Sequence, residues 1–454
     1  MFFLWIFCSL LSGGFAADIL PLPLLPSEDS FYRPRNDSWK ELPVGTILDA
    51  RNVTFGTLYP YLPSPADAYQ LLYVTQNVHG EPDTTVTTIV VPPNANKNRL
   101  LSFQNAYDAP DVDCSPSYGF QFRVDGVAAA WNRGQLPLIS RFLVDGGPVI
   151  NIPDYEGSNA SFTVGSQSAY QTLDSIRAAL KSNDITGLSP DAKIVMFGYS
   201  GGGFATAWAT EFHASYSPNL SIVGAAIGGL PINIKNTYTN VNNGMFSELS
   251  VLATLGLMSA FPELDQYVRE HLKEDVKEAF LYPLKRCSSR EPIPEPSLIN
   301  ANITSFFDNG DQFLEDFNHI VEEVGIIGKR VKKGHAPNFP LLVYQGTNDT
   351  VTGPVKDTTA LVRKFLEVGT RVSYIPYLNQ GHVDALILGM IPAWTWIIQR
   401  FERAEALAAA DRFLQNDGKD IVIDNIGLED LPNGYNQGDQ IFLDGEALIH
   451  GYEL

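Results

Sequence analysis

Basic residues are scarce in this chain. Against 51 Asp and Glu stand only 31 Lys and Arg, leaving a formal net charge of -20 over 454 residues. An acidic surface repels phosphate backbones, which argues against nucleic acid as a partner, and it keeps the protein soluble at neutral pH. Cysteine is scarcer still: the three are Cys8, Cys114 and Cys287. That is too few for a disulfide-dense scaffold, and thiols so far apart among seven scattered histidines make no metal-ligand cluster. Beyond the first residues no segment reaches the ~18 to 20 apolar residues of a membrane span. The best candidate, "ALILGMIPAWTWII", is shorter and is interrupted by Pro392. Internal repeats and low-complexity tracts are absent. Charged residues make up 18% and apolar residues 44%, a composition that builds a large core rather than a disordered chain.

What is present begins with "MFFLWIFCSLLSGGFAADIL". A short apolar stretch followed by small residues ending at Ala16 and Ala17 reads as a cleaved export signal over residues 1–17. A secreted, extracellular protein is the expectation. Asn-x-Ser/Thr sequons at Asn36, Asn52, Asn159, Asn219 and Asn302 fit a glycoprotein. A sixth, at Asn348, adjoins a candidate site residue, where a glycan would obstruct access, so Asn348 is expected to be unmodified. Removing Cys8 with the signal leaves Cys114 and Cys287, an even pair in an oxidising compartment. One disulfide is the simple inference.

After a Pro-rich, polar segment from Asp18 to Ala66, read as an arm, strand-like runs recur. They are "YQLLYVTQN", "TTVTTIVVPP", "LLSFQNAYD", "GGPVINIPDY", "AKIVMFGYS", "LSIVGAAIGG", "PLLVYQGTND" and "RVSYIPYLN". Helical patterns such as "AYQTLDSIRAALKSN" and "TTALVRKFLEVGT" lie between several of them. Apolar strands alternating with helices predict an α/β architecture, a largely parallel sheet with helices on both faces. From 237 to 335 the alternation gives way to helical patterns, read as an inserted cap. The expected organisation is therefore a core over 18–236, the cap over 237–335, and the rest of the core over 336–454, with a turn-rich C-terminal flap from about Asp411.

One short stretch carries the chemistry. In "KIVMFGYSGGGFATAWAT" an apolar strand runs into Gly198-Tyr199-Ser200-Gly201-Gly202 and then into a helical pattern. G-x-S-x-G between a strand and a helix is the nucleophile elbow, in which side chains at the flanking positions would collide. Gly198 and Gly202 meet that need, and the Gly201 N–H can face a developing oxyanion. The partners of such a serine follow in the order acid, then histidine, each after a later strand. Asp349 follows "PLLVYQG", and His382 follows "RVSYIPYLN". Both fall at the carboxyl edge of the sheet with Ser200. Of the rival acids, Asp357 reads as a helix N-cap, and Asp384 is too near His382 to sit on a separate strand end. The other histidines read as surface or structural.

The pieces "DSFYRP", "YDAPDVDCSPSY", "DYEG", "GYSGGG", "IVGAAIGGLP", "GTNDTV" and "GH" occur in an order and spacing that resemble the fungal secretory lipase family of the α/β-hydrolase superfamily. The resemblance covers most of the chain up to His382. It implies Ser200, Asp349 and His382 as nucleophile, acid and base, and an oxyanion hole at Gly201 and Asp108. It also implies a disulfide between Cys114 and Cys287, a lid in the helical insertion, and no metal or organic cofactor. Triacylglycerol lipases and esterases or transacylases of fungal secondary metabolites share this scaffold, so a lipid and a small-molecule ester are both candidate substrates. The segment "LSVLATLGLMSAF" is apolar enough to meet a lipid surface or to be a core helix.

Overall fold

The structure is a computed structural model that describes residues 22–59, 62–417 and 441–443. The export-signal segment, Pro60 and Tyr61, and most of the C-terminal flap lie outside the described residues.

Ten strands form one sheet: β1 (Ile47–Gly56), β2 (Pro63–Gln76), β3 (Pro82–Val91), β4 (Asn96–Gln104), β5 (Pro148–Pro153), β6 (Lys193–Tyr199), β7 (Ile222–Gly228), β8 (Leu341–Gly346), β9 (Val372–Tyr377) and β10 (Ile441–Leu443). Their order is β1-β2-β3-β5-β4-β6-β7-β8-β9-β10. The run from β5 through β4, β6, β7 and β8 to β9 is parallel, and β1 to β3 join it antiparallel. The parallel strands are buried on both faces, which is why β5, β6 and β8 read as continuous apolar runs rather than alternating ones. Helices Gly165–Lys181 and Gly201–Tyr216 cover one face, burying Leu173, Ile176 and Trp208 against Leu100, Ile194 and Met196. The long helix His382–Asp417 covers the other, setting Ala393, Ile397 and Phe401 against Val195, Phe197 and Leu342.

All eight strands read from the sequence are present. Two readings need correction. The segment taken as an arm contains β1, whose Asp49, Arg51 and Asn52 disguise it; such polar residues suit an edge strand that keeps one side in water. The helix His382–Asp417 runs straight through Pro392 and past Asp411, so the proline does not end it and the polar tail starts later. Of that tail beyond the helix the structure describes β10, paired antiparallel with β9. Among the described residues no helix is long and apolar enough to cross a membrane.

Between β7 and β8 the chain is mostly helix and loop. Phe261-Pro262 divides the long apolar pattern, because proline cannot continue a helix interior but suits a first turn. The helix Glu248–Ala260 buries Val251, Leu252, Leu255 and Met258, so "LSVLATLGLMSAF" is a core helix. Its Gly256 lies so close to the main chain of Phe162 that a Cβ would sit 2.2 Å from the Phe162 carbonyl oxygen. The insertion thus shares one continuous apolar core with the helices over the sheet.

Candidate active site

The corner after β6 is tight in a way that accounts for every glycine in it. Ser200 sits at φ 58°, ψ -127°, a left-handed conformation rare outside glycine. A Cβ on Gly198 would lie 2.1 Å from the Gly202 carbonyl oxygen, and one on Gly202 would lie 1.9 Å from the Gln104 carbonyl oxygen. On Gly203 it would meet the Gly228 carbonyl oxygen at 2.6 Å, so this glycine lets the helix pack against β7. The strained serine is held by a frame that admits no side chain around it.

Ser200, His382 and Asp349 meet at the carboxyl edge of β6, β8 and β9. The His382 Nε2 is 3.0 Å from Ser200 Oγ, and its Nδ1 is 2.8 Å from Asp349 Oδ2. A carboxylate only accepts, so Nδ1 carries the proton and Nε2 offers its lone pair to the serine hydroxyl. Asp349 is filled on its other sides. Oδ1 accepts from the Val351 and Thr352 N–H groups at 2.8 and 3.1 Å, and Oδ2 also accepts from Thr352 Oγ1 at 2.9 Å. Burial pulls this carboxyl upward, but the hydrogen bond and charge of His382 and the two N–H donors outweigh it and hold it below the usual carboxylate range. From behind, the Tyr199 hydroxyl donates to the His382 carbonyl at 2.6 Å, and its ring lies 5.0 Å from the imidazole.

Sequence reasoning missed Tyr199 and Thr352. Thr352 was legible in "NDTVT", where an aspartate followed by a threonine three residues on makes an Asx-type turn. Nothing in the sequence marks Tyr199. The rival acids stand apart. Asp384 accepts from the Gly381 N–H at 3.3 Å, and Asp357 accepts from Asn236 Nδ2 at 2.7 Å. Asp357 is the third residue of helix Val355–Glu367, not its N-cap, which is Pro354.

Asp108 follows β4 at φ 44° and is buried. Among the described residues its Oδ1 has no hydrogen-bond partner, and it stands 1.8 Å from where a Gly201 Cβ would be. Only glycine at 201 admits it. Burial pushes the Asp108 carboxyl up to about 7, against a smaller opposing effect of His382. Asp111 and Asp113 face elsewhere: Asp111 accepts from the Cys287 N–H at 2.8 Å, and Asp113 accepts from the Ser27 N–H and hydroxyl, both at 2.8 Å. Cys114 and Cys287 form a disulfide, tying this loop to the insertion.

Ser200 opens onto a cleft of about 460 Å³, part of it open to solvent, walled by Thr163, Ile234, Tyr238, Leu249, Ala253 and Val351 among others. A second, narrow pocket shares Ile234, Tyr238 and Ala253 and continues to Leu257, Phe313 and Ile320. Both are mainly apolar. Of the sequons, Asn36, Asn52, Asn219, Asn302 and Asn348 are exposed, while Asn159 is half-buried with its amide bonded to the Ser259 carbonyl and to Gln167.

Comparison with known proteins identifies the family. The family model "Secretory lipase" matches residues 128–409. Lipase 10 of Candida albicans is 34% identical over 420 residues, spanning 91% of this chain and 89% of that protein. A Mycobacterium tuberculosis relative described as a probable inactive lipase is 33% identical, spanning 84% and 83%. The crystal structure of Candida antarctica lipase A in its closed state superposes with a TM-score of 0.71 at 25% identity, covering 84% of this chain and 87% of that one. These likenesses extend over most of the chain, and its fold and sequence place it in the secretory lipase family of α/β-hydrolases, as a carboxylic ester hydrolase.

Proposed function

We propose that this protein is a secreted triacylglycerol lipase acting through a Ser200–His382–Asp349 triad. The observation that carries the reading is the unbroken relay from Asp349 Oδ2 to His382 Nδ1 and from His382 Nε2 to Ser200 Oγ. Ser200 Oγ attacks the ester carbonyl carbon as its proton passes to Nε2. The carbonyl oxygen becomes an oxyanion against the Gly201 N–H, at the start of helix Gly201–Tyr216, and the Asp108 carboxyl, which donates only while protonated. Collapse breaks the bond to the alcohol oxygen, which takes the proton from His382 and leaves. Water then attacks the acyl-enzyme, giving its proton to Nε2, and the acid departs as Ser200 regains its hydrogen. Asp349 holds the imidazole tautomer and stabilises the imidazolium.

The apolar cleft and the pocket beyond it favour an acyl chain over a polar leaving group as the occupant. In this reading 237–335 is the cap, the disulfide anchors it to the Asp108 loop, and the exposed sequons carry glycans except Asn348, whose neighbour is Asp349. A carboxylesterase or transacylase of small metabolites is the second reading, favoured by the way the insertion is packed into the core rather than laid on the surface. Rates on emulsified long-chain triacylglycerol and on a soluble acetate ester separate the two. Activity confined to the soluble acetate would reject the lipase reading.

A further inference from the structure

One buried carboxyl beside the site has no part in the relay. Glu156 stands three residues past β5 and is fully buried. Its Oε2 accepts from the Ala109 N–H at 3.3 Å. Its own N–H donates to the Tyr107 hydroxyl at 2.7 Å, and its carbonyl accepts from Gln167 Nε2 at 3.1 Å and from the Ser161 N–H at 2.8 Å. The Tyr107 and Tyr155 rings pack edge to face at 5.2 Å around this junction. The Glu156 main chain is thus fixed at both its N–H and its carbonyl, and Oε2 of its carboxyl holds the Ala109 N–H, while Oε1 has no partner among the described residues. Ala109 directly follows the left-handed Asp108.

We infer that Glu156 is a positioning residue for the reaction at Ser200: by holding the Ala109 N–H it fixes the backbone next to Asp108 and leaves the Asp108 side chain as the group facing Gly201. The inference rests on the proposed acyl transfer at Ser200. Two facts support it independently. A left-handed non-glycine residue persists only where its surroundings over-determine it, and here a buried carboxyl holds the N–H of the very next residue. Second, Asp108 Oδ1, which lacks a partner among the described residues, is free to meet an oxyanion. Burial, with the adjacent Asp108 adding to it, also holds the Glu156 carboxyl well above the usual carboxylate range.

The test compares Glu156→Asp, Glu156→Gln and Ser200→Ala in the full chain, with p-nitrophenyl butyrate as substrate and an alkyl boronic acid as a tetrahedral mimic. Glu156→Asp shortens the reach by one methylene and releases the 108–109 backbone. Its kcat falls about 10- to 100-fold, as for a small misplacement of a reacting group, while KM changes less than about threefold. Boronate affinity falls in step with kcat. Glu156→Gln keeps an acceptor oxygen at full reach and stays within about threefold of wild type. Folded Glu156→Asp with unchanged kcat, or a rate loss that vanishes once rates are normalised to the boronate-binding fraction, overturns the assignment. If Glu156→Asp does not fold, hydrogen exchange in the wild-type protein decides: a protected Ala109 amide supports the contact, and an amide exchanging as in an open loop overturns it. Full activity in Ser200→Ala would instead overturn the acyl-transfer reading itself, and with it any positioning role.

Discussion

Replacing Asp349 by asparagine isolates what the carboxylate contributes beyond its shape. The Val351 and Thr352 N–H groups hold Oδ1 and would hold the asparagine carbonyl oxygen in the same place. The amide nitrogen then falls at the Oδ2 position, 2.8 Å from His382 Nδ1. Two N–H donors cannot face each other at that distance, so the imidazole proton moves to Nε2 and points at Ser200 Oγ, where a lone pair is needed. The base is lost although no atom has moved far. The expected fall in kcat is about 10⁴-fold, or roughly 5.5 kcal/mol at 1.36 kcal/mol per decade. Steady-state hydrolysis of p-nitrophenyl butyrate measures it, and a thermal melt on the same sample verifies folding. A folded Asp349→Asn variant within about tenfold of wild type would refute the role given to Asp349.

The Asp108 carboxyl, raised by burial to about 7, gives the rate a decline as pH climbs through that value, because the ionised form no longer donates to an oxyanion. Asp108→Asn keeps a donor that does not ionise and flattens that limb of the pH–kcat profile. The same shift has a sign for stability. A carboxyl whose folded value lies above its unfolded one favours the folded state at low pH and loses that advantage as pH rises towards about 7. Asp154, also raised to about 7 by burial, acts in the same direction, so melting temperature falls between mildly acidic and mildly alkaline pH; an increase would contradict the burial argument. Gly202→Ala forces a Cβ to within 1.9 Å of the Gln104 carbonyl oxygen, and a melt registers a destabilisation of about 2 kcal/mol or more. Reducing the Cys114–Cys287 bond, which spans 173 residues, lowers stability by about 2–5 kcal/mol, read as a lower melting temperature with reductant.

How much of this was legible follows from where each signal resides. Strands β5, β6 and β8 announce themselves because parallel strands buried on both faces read as nearly continuous apolar runs. The elbow is legible because crowding at Ser200 demands glycine at 198 and 202, and the demand is written in the residues themselves. β1 is hidden because an edge strand tolerates Asp49 and Arg51, and what makes it a strand is its pairing with β2, which is not local. The end of helix His382–Asp417 is hidden for the same reason: packing of Ala393, Ile397 and Phe401 against the sheet carries it past Pro392. Glu156 was visible only as a letter in "DYEG". Its contact with the Asp108 loop joins the ends of β4 and β5, neighbours in the sheet but about fifty residues apart in sequence.

The account stands on Ser200 as the nucleophile of an ester hydrolase. Intact-mass spectrometry after treatment with a p-nitrophenyl phosphonate ester measures that directly. The predicted result is one phosphonyl adduct per chain, mapped by peptide digestion to Ser200, accumulating in step with loss of esterase activity and absent from Ser200→Ala. An adduct on another residue, or activity that survives full labelling of Ser200, would contradict it.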